Sequence, residues 1–260
     1  MKGQSKKGFT LVELLVVIGI LGILMGALFP AISSAMLKAN MSAAAMRGRN
    51  LFVAITSANT EREAAGLASV WPRTKASNAE AAGENLDIAD QPWSTGYQYF
   101  NELFDMENIT QSDTWSPYVV GVDVSCLSGS GVNPPSGGQV LTKDNVGWHI
   151  GANVQDEMED ILPVLVTRNV PAQNLLNQYQ GTDNTRLKLG TQGDGEYNTP
   201  FSNKGFVMIR KSGAAIQSQA RYATYQTIYN KQVFELPQQS DDMDAFVYLT
   251  PEGKQNPVSK

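Results

Sequence analysis

Glu13 is the residue whose position asks most for a chemical reason. It stands at the mouth of the apolar run Leu14-Leu15-Val16-Val17-Ile18, just after Lys6-Lys7-Gly8-Phe9-Thr10-Leu11-Val12. A charged side chain at a membrane helix centre costs about 2.5–3.5 kcal/mol on insertion scales and less near the edge. An acid kept there calls for a partner, and a nearby cationic amine would stabilise it. Other chemistry-bearing residues are sparse. His149, in Trp148-His149-Ile150, is the only histidine and has no cysteine at ligand spacing, which excludes an ordinary zinc site. Cys126, in Val124-Ser125-Cys126-Leu127-Ser128-Gly129, is the only cysteine, so no intrachain disulfide can form. There is no G-x-S-x-G, no P-loop and no G-x-G-x-x-G. The chain reads as non-enzymatic.

The element that must position Glu13 is the apolar run itself. From Leu14 to Leu37 no side chain ionises, and as a helix this stretch is about 36 Å long, enough to cross a hydrocarbon core. Lys2, Lys6 and Lys7 precede it, and basic residues favour the cytoplasmic side. The expected topology is a single pass through the cytoplasmic (inner) membrane, with the N-terminus inside and the rest periplasmic or extracellular. A secretory signal peptide also begins with lysines. Against it stand the acid at Glu13, an apolar run that continues through Ala27-Leu28-Phe29, and Gly8-Phe9 placed before that run.

Residues 6–35 closely resemble the prepilin leader and N-terminal helix of type IV pilins and type II secretion pseudopilins. The resemblance implies a leader of residues 1–8, a cut by a prepilin peptidase between Gly8 and Phe9, and methylation of the new N-terminal Phe9. Glu13 matches the family's acidic residue, and Pro30 falls where many pilins place a proline that loosens the transmembrane helix. The amino group freed at Phe9 of a neighbouring subunit would then supply the cation that Glu13 lacks. Further implied partners are like subunits in a helical filament and the inner-membrane assembly platform of a secretion or pilus machinery. Many true pilins close a C-terminal loop with a disulfide, and its absence here leans toward pseudopilins. Major pseudopilins often hold calcium in a C-terminal loop. The oxygen-rich candidates are Asp183-Asn184 with Asp194-Gly195-Glu196, and Asp241-Asp242-Asp244. Neither matches a defined calcium loop, so solvated carboxylates are the competing reading.

The 260 residues carry a formal charge of −5, which becomes −8 once Lys2, Lys6 and Lys7 are lost with the leader. That balance argues against a nucleic-acid partner. After the membrane segment about 190–200 residues remain, a normal size for one domain. The divisions expected are the leader 1–8, a transmembrane helix half 9–37, an amphipathic half 38–70 and a soluble domain 71–260.

Leu37, Met41, Ala44, Gly48, Leu51, Ile55 and Ala58 recur at spacings of three and four and define one helical face. The helix is expected to run to about Gly66–Ser69, with Trp71-Pro72 closing it. Residues 72–92 read as a linker. Ser94 or Thr95 caps a second helix in which Tyr97, Phe100, Leu103 and Phe104 share a face. Residues 106–145 read as irregular loops. Strands are expected at 160–168, with Pro163 confined to an edge or a strand start, at 205–210 turning through Lys211-Ser212-Gly213 into 214–217, and at 244–250. Residues 224–231 are strand or helix. A helix followed by strands predicts an α+β fold with the amphipathic half of the helix on an antiparallel sheet, the pilin-like arrangement that the resemblance implies.

Two functions fit. One is a structural subunit of a type II secretion pseudopilus or type IV pilus-like filament. The other is a minor pilin or adhesin that presents the 106–145 loops with Trp93, Trp115 and Trp148 to a surface, glycan or DNA.

Overall fold

The computed structural model describes residues 10–75, 87–111, 113–114, 116–133, 139–172, 186–190, 197–224, 228 and 245–255. The chain divides into two compact units, Met1–Ala39 and Asn40–Lys260. Helix α1, Leu11–Ala64, contributes to both.

In the first unit α1 is apolar and exposed. Leu14, Val17, Leu21, Leu24, Leu28 and Ile32 all face outward. Length and composition suit this stretch to crossing a membrane.

In the second unit α1 turns the expected face inward. Met41, Ala44, Gly48, Leu51, Ala54, Ile55 and Ala58 are buried, while Leu37, expected on the same face, is only partly covered. Small residues let the helix lie close. A Cβ on Gly48 would fall 2.7 Å from Trp148 Cη2 and 3.0 Å from Ile209 Cγ1, and one on Gly205 would fall 2.9 Å from Met41 Sδ. The helix ends differently from the sequence expectation. Gly66, at φ +73°, takes the left-handed position, Gly66 N–H donates to the Glu63 carbonyl at 3.0 Å and Leu67 N–H to the Arg62 carbonyl at 2.8 Å. That is a Schellman stop, so the chain leaves the helix before Trp71-Pro72 is reached.

The sheet is antiparallel throughout, in the order β4-β3-β2-β1-β5-β6. Its strands are β1 Trp148–Ala152, β2 Pro163–Thr167, β3 Gly205–Arg210, β4 Ala215–Gln219, β5 Val247–Leu249 and β6 Lys254–Gln255. The architecture is pilin-like α+β: a long N-terminal helix packed on a C-terminal antiparallel sheet. Three expected strand regions recur as β2, the β3–β4 hairpin and β5. Pro163 opens β2, where its missing N–H interrupts no ladder. β1 is the strand that the sequence reading passed over. Trp-His-Ile-Gly-Ala is short, buried at every position and without alternation, as a central strand covered on both faces must be.

The side chains of β3 alternate between two apolar layers. Gly205 and Ile209 approach α1. Phe206 and Met208 join Val166, Tyr248, Leu162, Val170, Leu187, Leu189 and Ile228 in a second cluster. Helix α2, Gly96–Leu103, is capped by Thr95, whose hydroxyl accepts from Gln98 N–H. Its buried residues are Gly96, Tyr99, Phe100 and Leu103, with Tyr99 taking the inward place expected of Tyr97. The Tyr99 hydroxyl donates to the Val70 carbonyl at 2.9 Å. The region 106–145 is less irregular than expected, since Val124–Leu127 forms a 3-10 turn capped by Asp123 with Cys126 and Leu127 buried. Among residues 224–231 only Thr224 and Ile228 lie within the described residues.

Candidate functional site

The first turn of α1 is closed by a reciprocal pair of side chains. Thr10 precedes the helix, and its carbonyl accepts the first helical hydrogen bond from Leu14 N–H at 3.2 Å. Glu13 N–H donates to Thr10 Oγ1 at 3.3 Å. In return Glu13 Oε2 accepts from Thr10 N–H and from Thr10 Oγ1, each at 2.8 Å. This is a capping box, in which a threonine cap and a glutamate three residues on satisfy donors that the helix start leaves bare. The sequence reading sought a cation for Glu13 and missed this neighbour. The signal was present as the T-x-x-E spacing ahead of an apolar run. Among the described residues the acid has hydrogen-bond donors in Thr10 but no opposite charge beside it. Gly8 and Phe9 lie outside the described residues.

Pro30 lies inside α1 without interrupting it. It has no N–H to give the Gly26 carbonyl one turn back. Just beyond it, Ser33 Oγ donates to the Phe29 carbonyl at 3.1 Å and Ser34 Oγ to the Ala31 carbonyl at 2.9 Å, local contacts of the kind that bend helices slightly.

Over residues 3–29 the chain matches the prokaryotic N-terminal methylation motif. This motif is characteristic of type IV pilins and type II secretion pseudopilins. It covers Gly8, Phe9, the Thr10–Glu13 box and the apolar helix as far as Phe29, and it stops short of Pro30. The motif implies processing by a prepilin peptidase and assembly into a filament in general terms, and its apolar helix is consistent with anchoring in the inner membrane. Families carrying it are typically not enzymes. No curated protein and no solved structure matches the chain.

The candidates in the second unit resolve into packing. His149 Nε2 lies 3.0 Å from the Val170 carbonyl, while its Nδ1 is buried without a hydrogen-bond partner. Burial pushes its pKa down to about 4, with the nearby Arg168 charge acting in the same direction against hydrogen bonds that favour the cation. The ring is therefore neutral near pH 7 and donates through Nε2. Cys126 is buried, and desolvation first, then the Asp123 charge, pushes its thiol up to about 12. Such a thiol is inert. Two of the three tryptophans offered for display are core residues. Trp148 Nε1 donates to the Cys126 carbonyl and Trp93 Nε1 to the Ile88 carbonyl, each at 3.0 Å, while Trp115 lies outside the described residues.

Sequence reasoning also missed Arg168, at the end of β2. Its guanidinium is nearly buried and donates to the carbonyls of Lys143, Val146 and Thr199 and to Thr199 Oγ1, over distances of 2.6–3.1 Å. It also lies 4.7 Å from the Tyr197 ring centroid. The cation is spent on holding two loops together. Among the described residues no group of three or more His, Cys, Asp or Glu is placed to hold a metal. The calcium candidates Asp183, Asp194 and Glu196, and Asp241, Asp242 and Asp244, lie outside them.

Proposed function

We propose that this chain is a non-enzymatic structural subunit of a type II secretion pseudopilus or a type IV pilus-like filament. A prepilin peptidase cuts between Gly8 and Phe9 and Phe9 is methylated. The subunit then assembles through α1. The observation that carries this reading is the methylation motif at residues 3–29, which includes a helix start whose first turn holds an acid at the edge of the apolar run.

In the mature chain Thr10 becomes the second residue, and the amine at Phe9 lies next to the box. Glu13 then has two successive roles. Before assembly Thr10 donates to its Oε2. During assembly the ammonium of a neighbour's Phe9 replaces hydrogen bonding alone with a charge pair, which is worth most where water is excluded. The proline at 30 and the glycines at 19, 22 and 26 give the membrane half places to bend as subunits stack.

The deciding measurement is the mass and N-terminal sequence of the mature protein from membranes that contain the peptidase. The expected product starts at Phe9 with one added methyl group, and Gly8→Ala accumulates as uncut, unassembled protein. Filaments built from an uncut Gly8→Ala chain would sink the reading.

A further inference from the structure

β4 lies at an edge of the sheet, and its register on β3 fixes which backbone groups face outward. Arg210 N–H donates to the Ala214 carbonyl and Ala220 N–H to the Lys204 carbonyl, with Met208↔Ile216 and Phe206↔Ser218 paired between them. Hydrogen-bonded and open pairs alternate in an antiparallel ladder. Ile216 and Ser218 therefore serve β3, and the N–H and C=O groups of Ala215, Gln217 and Gln219 point away from the sheet. Ala215 and Gln217 are exposed, and no backbone hydrogen bond among the described residues reaches their outward groups, whereas Gln219 caps the 3-10 turn Ala220–Tyr222 and its carbonyl accepts from Ser218 Oγ at 3.2 Å. The Gln217 side chain does not fold over them, since its Oε1 accepts from Ser42 on α1 at 3.3 Å.

Soluble sheets guard such an edge with a lysine, a proline or a bulge. Ala215-Ile216-Gln217-Ser218-Gln219 has no charge and no proline, and its pairing with β3 runs through five residues without a register shift. What satisfies a straight row of amides and carbonyls left open among the described residues is another strand.

Direction selects the strand. β6 forms the opposite edge, and every neighbouring pair between the two edges is antiparallel. β4 and β6 therefore run in opposite senses. A second copy placed alongside in the same orientation presents its β6 antiparallel to β4, and the contact repeats from copy to copy without closing on itself. We propose that the β4 edge is a subunit contact that receives the β6 edge of a second copy of this chain by strand addition. The inference rests on the filament reading above, which supplies copies in a common orientation.

Gln217→Pro in the full chain deletes an outward N–H and leaves the bonds of Ile216 and Ser218 to β3 in place. Gln217→Ala removes the side chain and keeps both backbone groups. Filament yield is expected to fall roughly tenfold or more for the proline variant, with Gln217→Ala assembling like the wild type. Proline filaments at the wild-type level, or an equal loss with alanine, would overturn the contact. A second measurement does not depend on how the proline variant folds. The double variant Gln217→Cys, Lys254→Cys, whose two positions share one face of the sheet by the register of β3, β2, β1 and β5 between them, is expected to give a ladder of crosslinked chains when sheared filaments are oxidised. Filaments without that ladder overturn the proposal, as do dimers from Gln217→Cys alone, which signal two-fold pairing. A wild-type chain that is never cut or never polymerises refutes the filament reading instead.

Discussion

Glu13 carries two properties that substitution separates. Glutamine serves at the third position of a capping box, so Glu13→Gln keeps an acceptor for Thr10 N–H, but it has no charge to offer an ammonium. We expect Glu13→Gln to be cut like the wild type and to give few or no filaments, read as processed chain by immunoblot and as sheared filament by microscopy. Filaments at the wild-type level would show that the joint is not electrostatic. His149 governs a different quantity, the acid stability of the sheet. Its folded pKa is lowered from the ordinary value of 6.5 to about 4, so the unfolded chain binds the extra proton between these values. The resulting contribution is fully present above pH 6.5 and is lost as pH falls toward 4, up to about 3 kcal/mol. A His149→Gln variant is expected to lose less stability than the wild type between pH 7.5 and 4.5 in urea titrations. An equal loss in both proteins would mean that the ring is not buried neutral.

At the scale of elements, two glycines on α1 test two different constraints. Gly66 has a positive φ and nothing within 4 Å of its Cβ position. Gly66→Ala should therefore cost about 1–2 kcal/mol from backbone conformation alone. Gly48 is helical and crowded. Alanine there gains up to about 1 kcal/mol in helix propensity but drives a methyl to 2.7 Å from the Trp148 ring, an overpacking that costs about 1–3 kcal/mol. Net destabilisation by both, measured by chemical denaturation, is the expected outcome, and a stabilised Gly48→Ala would show that the helix can lift off the sheet. The contact face of α1 was legible because burial on one side leaves a period of three and four in Met41, Ala44, Gly48, Leu51, Ile55 and Ala58. The β3–β4 hairpin was legible from Lys211-Ser212-Gly213. β1 was not, because a strand covered on both faces has no alternation to read. Gly66 was overlooked as a stop because Trp71-Pro72 offered a louder signal further on. Tyr97 and Tyr99 lie two apart, and composition alone does not say which turns inward. At the N-terminal site the acid was legible from its cost in lipid, whereas its threonine partner was hidden by the search for a cation. Arg168 was invisible because its partners are carbonyls brought together from Lys143, Val146 and Thr199.

At the scale of the whole molecule, the division at Ala39 and Asn40 separates the membrane-suited stretch from the part that has a core. A fragment beginning at Asn40 retains every buried residue of α1 and is expected to be soluble without detergent and to melt in one cooperative step by circular dichroism. Aggregation, or a broad transition without a baseline, would mean that residues before Asn40 are needed for the fold. The buried thiol of Cys126 has a practical consequence for such a molecule. Maleimides react with thiolates, and a thiol that ionises only near pH 12 behind 3-10 turn packing offers none at neutral pH. The folded native chain is thus optically blank to thiol dyes. A fluorophore can be attached at one introduced surface cysteine without first removing the natural one, and uptake of dye by the unmodified chain becomes a clock for its unfolding.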